Sequence, residues 1–279
     1  MTGRGQPSAA ATAGLHAVMI AGCVATLFPL FWMLSTSFRM PDDIATPGIA
    51  LIPRPPTLEN YRAAWRLTPL GLYVWNSMLS TVALMSSQTV TSILAAYAFA
   101  RFRFPGRELL FGLFVGTMMV PIHVVMIPNY ILVSRLGWID TLAGLIVPQL
   151  SNAFGVFMLR QHLLTLPREL FDAAAIDGAG SWRTLWRIVV PVSRSPIFAL
   201  AILFFLNAWN QYFWPFLVLT RPEVQTLPLG LQRFAGSEGG ASWGPLMAVA
   251  TIASLPAILM YTVGQRHIVR TSVTSGLKG

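Results

Sequence analysis

The chain has 279 residues, 54% of them hydrophobic and 10% charged, with a mean hydropathy of +0.61. A soluble domain carries about 25% charged residues, and a disordered chain cannot be this apolar. Both classes are excluded, and an integral membrane protein of roughly six spans of about 20 residues remains.

The net charge of +9 comes from 19 basic and 10 acidic residues. The arginines sit between apolar runs and form no single basic patch. This argues against a nucleic-acid binder and for loops at a membrane surface. One cysteine, Cys23, excludes an internal disulfide and any multi-cysteine metal site.

Residues 1–14 are mostly small and polar, and an apolar run begins at Leu15. Ile20-Ala21-Gly22-Cys23 has the look of a lipoprotein cleavage box, but the run continues through Leu34. That is too long for a secretory h-region of about 7–15 residues, so it reads as a retained first span over 15–36. The loop 37–72 holds Pro41, Pro47, Pro53, Pro55 and Pro56, and Thr57 is placed to cap a short helix running through Trp65.

Span 2 is expected over 73–99. Arg101, Arg103 and Arg107 follow it. Span 3 is expected over 109–133, with Pro121 and Pro128 inside it. Span 4 covers 142–159, span 5 covers 197–220 and span 6 covers 245–264. These runs are continuously apolar and too long for barrel strands of about 10 alternating residues, so helices are indicated. The fold class is all-α: a single polytopic domain over 1–279 with six transmembrane helices and a polar loop at about 161–196. Six spans put both termini on one side. That side would hold Arg4, the loop 100–108, the 160–196 segment and the C-terminal basic residues, twelve of the nineteen cations. The positive-inside rule makes it the cytoplasm.

Several chemistries are absent. A phosphate-binding loop needs a lysine before Ser or Thr, and the one lysine is Lys278, followed by Gly279. No H-E-x-x-H, Cys/His cluster or G-x-S-x-G elbow occurs. The chain is therefore read as neither an enzyme nor a cofactor binder. A proton-driven carrier would bury acidic relays in its spans, and none lies deep here. His123 in span 3 is the one deep ionisable candidate and fits a packing or cavity role.

The most informative stretch is 165–196. Pro167 and Glu169 suit a helix start, three alanines propagate it, and Gly178 can take the left-handed conformation that ends it. After Ser181, Trp182, Leu185, Trp186 and Val189 fall at i, i+3, i+4 and i+7, one apolar face. Pro191 and Pro196 interrupt the pattern. By spacing alone this is either a connector on the bilayer surface or a docking helix for a partner protein.

In this stretch Asp172-Ala173-Ala174 is followed by three residues and then Gly178, and nine more residues lead to Ile188-Val189-Val190-Pro191. This resembles the EAA loop of permease subunits of bacterial ABC importers, with Asp172 in place of the glutamate and Val190 in place of the leucine. The resemblance covers nearly the whole chain and is closest to the carbohydrate-uptake, maltose-type branch. Pro53 to Tyr61 resembles that branch's proline-rich lead into L-x-N-Y. Ile127-Pro128-Asn129-Tyr130 and Phe157-Met158-Leu159-Arg160-Gln161 resemble pieces of its spans 3 and 4. Trp209-Asn210-Gln211-Tyr212-Phe213-Trp214-Pro215 resembles its span 5 motif. Ser275 to Gly279 resembles its terminal G-A-x-K-G, with departures at Ser275 and Gly276.

The resemblance implies a pore shared with a second, homologous permease, a cytoplasmic ATPase dimer that consumes the ATP, and an extracytoplasmic binding protein. It implies that Asp172, Ala173, Ala174, Asp177, Gly178 and Ala179 dock to the ATPase. The implied substrate is a sugar or oligosaccharide, with glycerol phosphate or a related polyol ester as the alternative. A secondary transporter is the alternative of another class.

Span 5 carries its own physical argument. Asn207, Asn210, Gln211 and Trp214 fall at i, i+3, i+4 and i+7 and would share one helix face. Asn76 in span 2 and Gln149 and Asn152 in span 4 add further carboxamides. Such groups in hydrocarbon need partners, either neighbouring helices or a wet pathway. As a set they are the pathway candidates.

Overall fold

The structure, a computed structural model, describes residues 9–45, 51–236 and 242–276, with side chains placed for 10–44, 51–236 and 242–265. Arg4, Pro47, Lys278 and Gly279 lie outside the described residues. Only the backbone is described for Arg266, Arg270, Ser275 and Gly276.

No strand occurs among the described residues. In chain order the helices are α1 (Ala9–Ser37), α2 (Pro41–Ala45), α3 (Glu59–Leu67), α4 (Leu70–Arg101), α5 (Arg107–Gly116), α6 (Ile122–Arg135), α7 (Leu142–Ile146) and α8 (Ala153–Leu164). Then come α9 (Glu169–Ile176), α10 (Ser181–Thr184), α11 (Val190–Val192), α12 (Arg194–Trp209), α13 (Phe213–Val218), α14 (Leu227–Ala235) and α15 (Trp243–Gly276). Among the described residues, three unbroken helices are long and apolar enough to cross a membrane: Ala10–Ser37, Leu70–Arg101 and Trp243–Gln265. Three bent pairs pass the same test together.

The spans expected at 109–133 and 197–220 are each interrupted. The first turns by 99° between Met119 and Ile122. Pro121 lacks an amide hydrogen and fixes φ, so the helix restarts there. The second stops at Trp209 and resumes at Phe213. Pro215 cannot donate to the Gln211 carbonyl and its ring would crowd that oxygen. Asn210 adds to this, since its Nδ2 donates to Leu206 O at 2.8 Å and so competes for a helix carbonyl. The 16 residues of α12 rise only about 24 Å, short of roughly 30 Å of hydrocarbon. Span 4 is also bent, by 41° between Gln149 and Ala153. Pro148 releases the Gly144 carbonyl, and Trp214 Nε1 donates to it at 3.2 Å in place of the missing backbone hydrogen.

The chain sorts into two compact units, one within Met1–Thr68 and Leu231–Ser254, the other within Pro69–Gly230 and Leu255–Gly279. In the first unit the organising residue is Asn60, which is 1% exposed. Its Nδ2 donates to Arg39 O at 2.7 Å and Ser37 O at 3.1 Å. These carbonyls lie at the end of α1, where helical partners run out. Tyr61 and Ser37 share a hydroxyl hydrogen bond at 2.9 Å. The N-cap of α3 is Leu58 and not Thr57 as read from sequence; Thr57 Oγ1 instead accepts from Glu59 N at 3.1 Å, a local turn just before the helix. A Cβ at Gly244 would overlap Asn60 Oδ1, so glycine is required where α15 begins.

The second unit is built on α4, which packs along α8 and α12. Gly155 of α8 makes the approach possible: a Cβ there would collide with Ser92 Oγ and Phe204 Cζ. Ser80 and Ser87 of α4 return their hydroxyls to carbonyls one turn back, at 2.7 and 3.0 Å, and so cost little inside the bundle. Ile93, Ala96, Tyr97, Leu159, Leu163, Leu200 and Phe204 form the common core.

Asn60→Asp keeps the shape of the side chain but replaces the donors facing the α1 carbonyls with an acceptor. Thermal melting of the purified protein should show a loss of about 1–3 kcal/mol. A melting curve superimposable on the wild type would remove Asn60 from this role.

Candidate functional site

Two assemblies carry the residues singled out by sequence. The first is the loop around α9. Its C-terminus closes as expected: Gly178 has φ +66°, Gly178 N donates to Ala175 O at 3.1 Å and Ala179 N to Ala174 O at 2.9 Å. This is the Schellman pattern of a helix ended by a left-handed residue. Glu169 and Asp172 occupy the first turn, favourable at the positive helix end. One face is anchored. Phe171 and Ala174 are buried, and Phe171 joins the core cluster with Ile93, Tyr97 and Leu159. The Arg101 guanidinium stacks 3.4 Å from the Phe171 ring. The opposite face is bare: Asp172, Ala173, Ala175 and Asp177 are exposed, and Ile176 is 87% exposed.

The next segment departs from expectation. The single apolar face of Trp182, Leu185, Trp186 and Val189 splits in two. Leu185 and Val189 are buried, while Trp182 and Trp186 face outward as an edge-to-face pair 5.8 Å apart. The cause is a π-helical turn over Leu185–Val189, which interrupts the α register. It immediately precedes Pro191, whose ring would crowd the Arg187 carbonyl in a regular α-helix. The chain then bends by 81° at Ser193 before α12.

The second assembly lies where spans 4 and 5 break. Gln149 closes the Val147–Gln149 3₁₀ turn, and Gln211 sits between α12 and α13. The two carboxamides pair reciprocally: Gln149 Nε2 donates to Gln211 Oε1 at 3.3 Å, and Gln211 Nε2 donates to Gln149 Oε1. From α4, Gln88 Nε2 donates to Gln149 O at 2.8 Å and Thr91 Oγ1 to Leu150 O at 3.0 Å. The carbonyls freed by the span 4 break are thus satisfied by span 2. Asn207 and Asn210 are exposed beside the span 5 break.

The remaining carboxamide candidates have structural partners. Asn76 Nδ2 donates to Glu223 O and Gln225 O at 2.9 and 3.1 Å. Asn152 Oδ1 caps α8 by accepting from Gly155 N at 3.2 Å. Trp214 is buried and donates to Gly144 O and Leu145 O. The shared face of Asn207, Asn210, Gln211 and Trp214 is therefore corrected, because no continuous helix joins them. His123 lies edge-on to Phe213 at 5.6 Å, a packing contact.

Sequence reading missed three supports within the second unit: Gln88, and the pair Arg160–Glu108. Arg160 is buried in α8, contacts Glu108 Oε2 of α5 at 3.0 Å and lies 3.9 Å over the Phe111 ring. Its place inside an apolar run, opposite the acidic start of α5, was the available signal. Pro148 and Pro215 were the signals for the two breaks. Asp140, with φ +59°, ties the turn after α6 to the strand-like exit from α13. Burial pushes its carboxyl up, but hydrogen bonds from the Arg221 and Thr220 amides and the Thr220 hydroxyl, with the Arg221 charge, hold it below the usual carboxylate range.

Residues 88–272 match the family described as the binding-protein-dependent transport system inner membrane component. The chain is 34% identical over 263 residues to the sn-glycerol-3-phosphate transport system permease protein UgpE of Brucella abortus (strain 2308), covering 91% of this chain and 93% of that one. It is 33% identical over 267 residues to the protein of that name from Yersinia pestis bv. Antiqua (strain Antiqua), covering 93% and 95%. Its fold is similar to a chain of a bacterial ABC transporter involved in the import of the acidic polysaccharide alginate, with a TM-score of 0.84 at 21% identity, covering 95% and 99%. These findings set aside the secondary transporter. The subunit is a transport component and not an enzyme, and ATP is used by a separate subunit. The chain belongs to the family of multi-pass inner-membrane permeases of binding-protein-dependent ABC importers.

Proposed function

We propose that the chain is one permease domain over 1–279, forming half the pore of an importer for a neutral sugar or oligosaccharide. A homologous permease supplies the other half, a cytoplasmic ATPase dimer docks at α9, and an extracytoplasmic binding protein delivers the solute. Both termini and the 161–196 loop face the cytoplasm, as the arginine distribution favours.

The observation that carries the coupling role is the two-faced α9. Its inner face is fixed by Phe171 and Arg101, and its outer face offers Asp172, Ala173, Ile176 and Asp177 with no partner in the chain's own core. A short helix anchored in this way moves together with α4. Asp172, Ala173, Asp177 and Gly178 form the contact, while Ala174 and Ala179 shape its inner side.

The pathway role rests on Gln149, Gln211, Asn207 and Asn210. These residues, with Gln88 and Thr91, are neutral donors and acceptors, the chemistry that matches hydroxyl groups. No cation stands among them to balance a phosphate. The second reading, import of sn-glycerol-3-phosphate, is favoured by the names of the curated relatives. Uptake of a radiolabelled sugar panel and of sn-glycerol-3-phosphate by the reconstituted importer decides between the two.

For coupling, Gly178→Val places a β-branched residue at φ +66°, a conformation costing roughly 1–2 kcal/mol for an L-residue. The variant should lose ATPase co-purification or hydrolysis-coupled uptake at normal expression. Full uptake by the variant contradicts the docking role.

For the pathway, Asn210→Ala and Gln211→Ala remove groups offered to solute hydroxyls. Uptake of the cognate solute should fall by the equivalent of about 1–3 kcal/mol, with a smaller fall for a deoxy analogue lacking the contacted hydroxyl. Equal losses for both solutes, accompanied by a lowered melting temperature, mean that the two amides only hold helices together.

A further inference from the structure

The Gln149–Gln211 pair is unusual in where it sits. Each glutamine stands at a helix break, and their side chains bridge the two breaks. Around them the backbone is held by fixed partners. Trp214 braces the Gly144 and Leu145 carbonyls, Gln149 Nε2 also donates to Leu145 O at 2.9 Å, and Gln88 and Thr91 hold the Gln149 and Leu150 carbonyls. Among the described residues, the polar bridge between the span 4 and span 5 breaks that involves no backbone group is the amide pair itself.

That distinction matters physically. A backbone carbonyl released at a break must keep a partner at all times in a dry bundle. Two side-chain amides can trade their mutual bonds for water or solute hydroxyls at little net change, because each carries both donors and an acceptor. Broken helices in membranes are tolerated where they line a cavity, and breaks of two helices meeting at one level mark such a place. Phe213 and Asn210 flank the pair on exposed positions, so the bridge lies at a surface and not in the core.

Resting on the pathway reading above, we propose that the reciprocal Gln149–Gln211 amide pair is a polar gate. It is closed when the two side chains bind each other, as here, and it separates in each transport cycle. Gln88 and Thr91 act as positioning residues that fix the span 4 side of the gate to α4. Because α4 also carries Arg101 on the Phe171 ring of α9, movement of α9 reaches the gate through one helix.

The test uses the whole importer with its ATPase and binding protein, in liposomes. The permease carries Gln149→Cys and Gln211→Cys, with Cys23→Ser to remove the native thiol. A short bis-methanethiosulfonate reagent should tie the two cysteines in the resting state. Tying should cut both ATP hydrolysis stimulated by the binding protein and uptake to below about a tenth of the same protein before treatment, since a step that cannot occur limits the whole cycle. Reduction with dithiothreitol should restore both, and each single-cysteine protein should be unaffected by the reagent. Uptake is read with maltose and with sn-glycerol-3-phosphate as probes. Failure of the sugar alone rejects the substrate reading and leaves the gate standing, because stimulated hydrolysis does not require a particular solute. Undiminished hydrolysis in the tied protein overturns the gate, and so does failure of the pair to cross-link. If the double-cysteine permease does not assemble, Gln149→Asn with Gln211→Asn shortens both arms and keeps the amides. Several-fold higher hydrolysis without binding protein then supports a weakened closed state, and unchanged hydrolysis overturns it.

Discussion

A backbone amide or carbonyl in hydrocarbon has no water to turn to, and each one left bare costs several kcal/mol. That constraint decides where this permease can interrupt its helices and what must stand beside each interruption. The end of α1 is covered by the Asn60 amide. The carbonyl that Pro148 frees at Gly144 is covered by the Trp214 indole, and the carbonyls of Gln149 and Leu150 by Gln88 and Thr91. Polar side chains thus stand beside each of these interruptions.

The long helix α4 connects the two functional assemblies. Gln88 and Arg101 are 13 positions apart, which is about 20 Å along the axis. At one point the helix supports the span 4 break, and at its end Arg101 holds Phe171 of α9. Close packing through Gly155 leaves α4 little freedom to slip against α8 and α12, since Ser92 and Phe204 fill the space a side chain would need. The Arg160–Glu108 contact and the Arg160 stack on Phe111 tie α5 into the same body. Under the proposed docking role, a displacement imposed at α9 would pass to α4 through the Phe171–Arg101 contact.

Much of this was legible in the sequence, and the reasons are specific. Continuous apolar runs placed the helices, because hydrocarbon thickness sets their length. Gly178 could be placed at a left-handed turn because the three alanines before it define a helix that must end. The breaks were less legible. Proline marks where a helix can fail, yet Pro128 and Pro256 lie within continuous helices while Pro121, Pro148 and Pro215 accompany breaks. At Pro148 a tertiary partner, Trp214, meets the freed Gly144 carbonyl, and that is invisible along the chain. The helical periodicity that united Asn207, Asn210, Gln211 and Trp214 assumed an unbroken helix. The L-x-N-Y resemblance pointed to Asn60 but not to its purpose, since the α1 carbonyls it binds are over 20 residues earlier.

The central claim is that the span 4 and span 5 breaks line a route that admits water and solute during transport. Hydrogen–deuterium exchange of the assembled importer in lipid nanodiscs tests it most directly, comparing peptides over 147–153 and 208–214 with the middle of α4. The account predicts slow exchange in all three at rest. During ATP turnover with the binding protein, exchange should accelerate clearly in the two break peptides, and α4 should remain protected. Break peptides that stay as protected as α4 throughout turnover would contradict it.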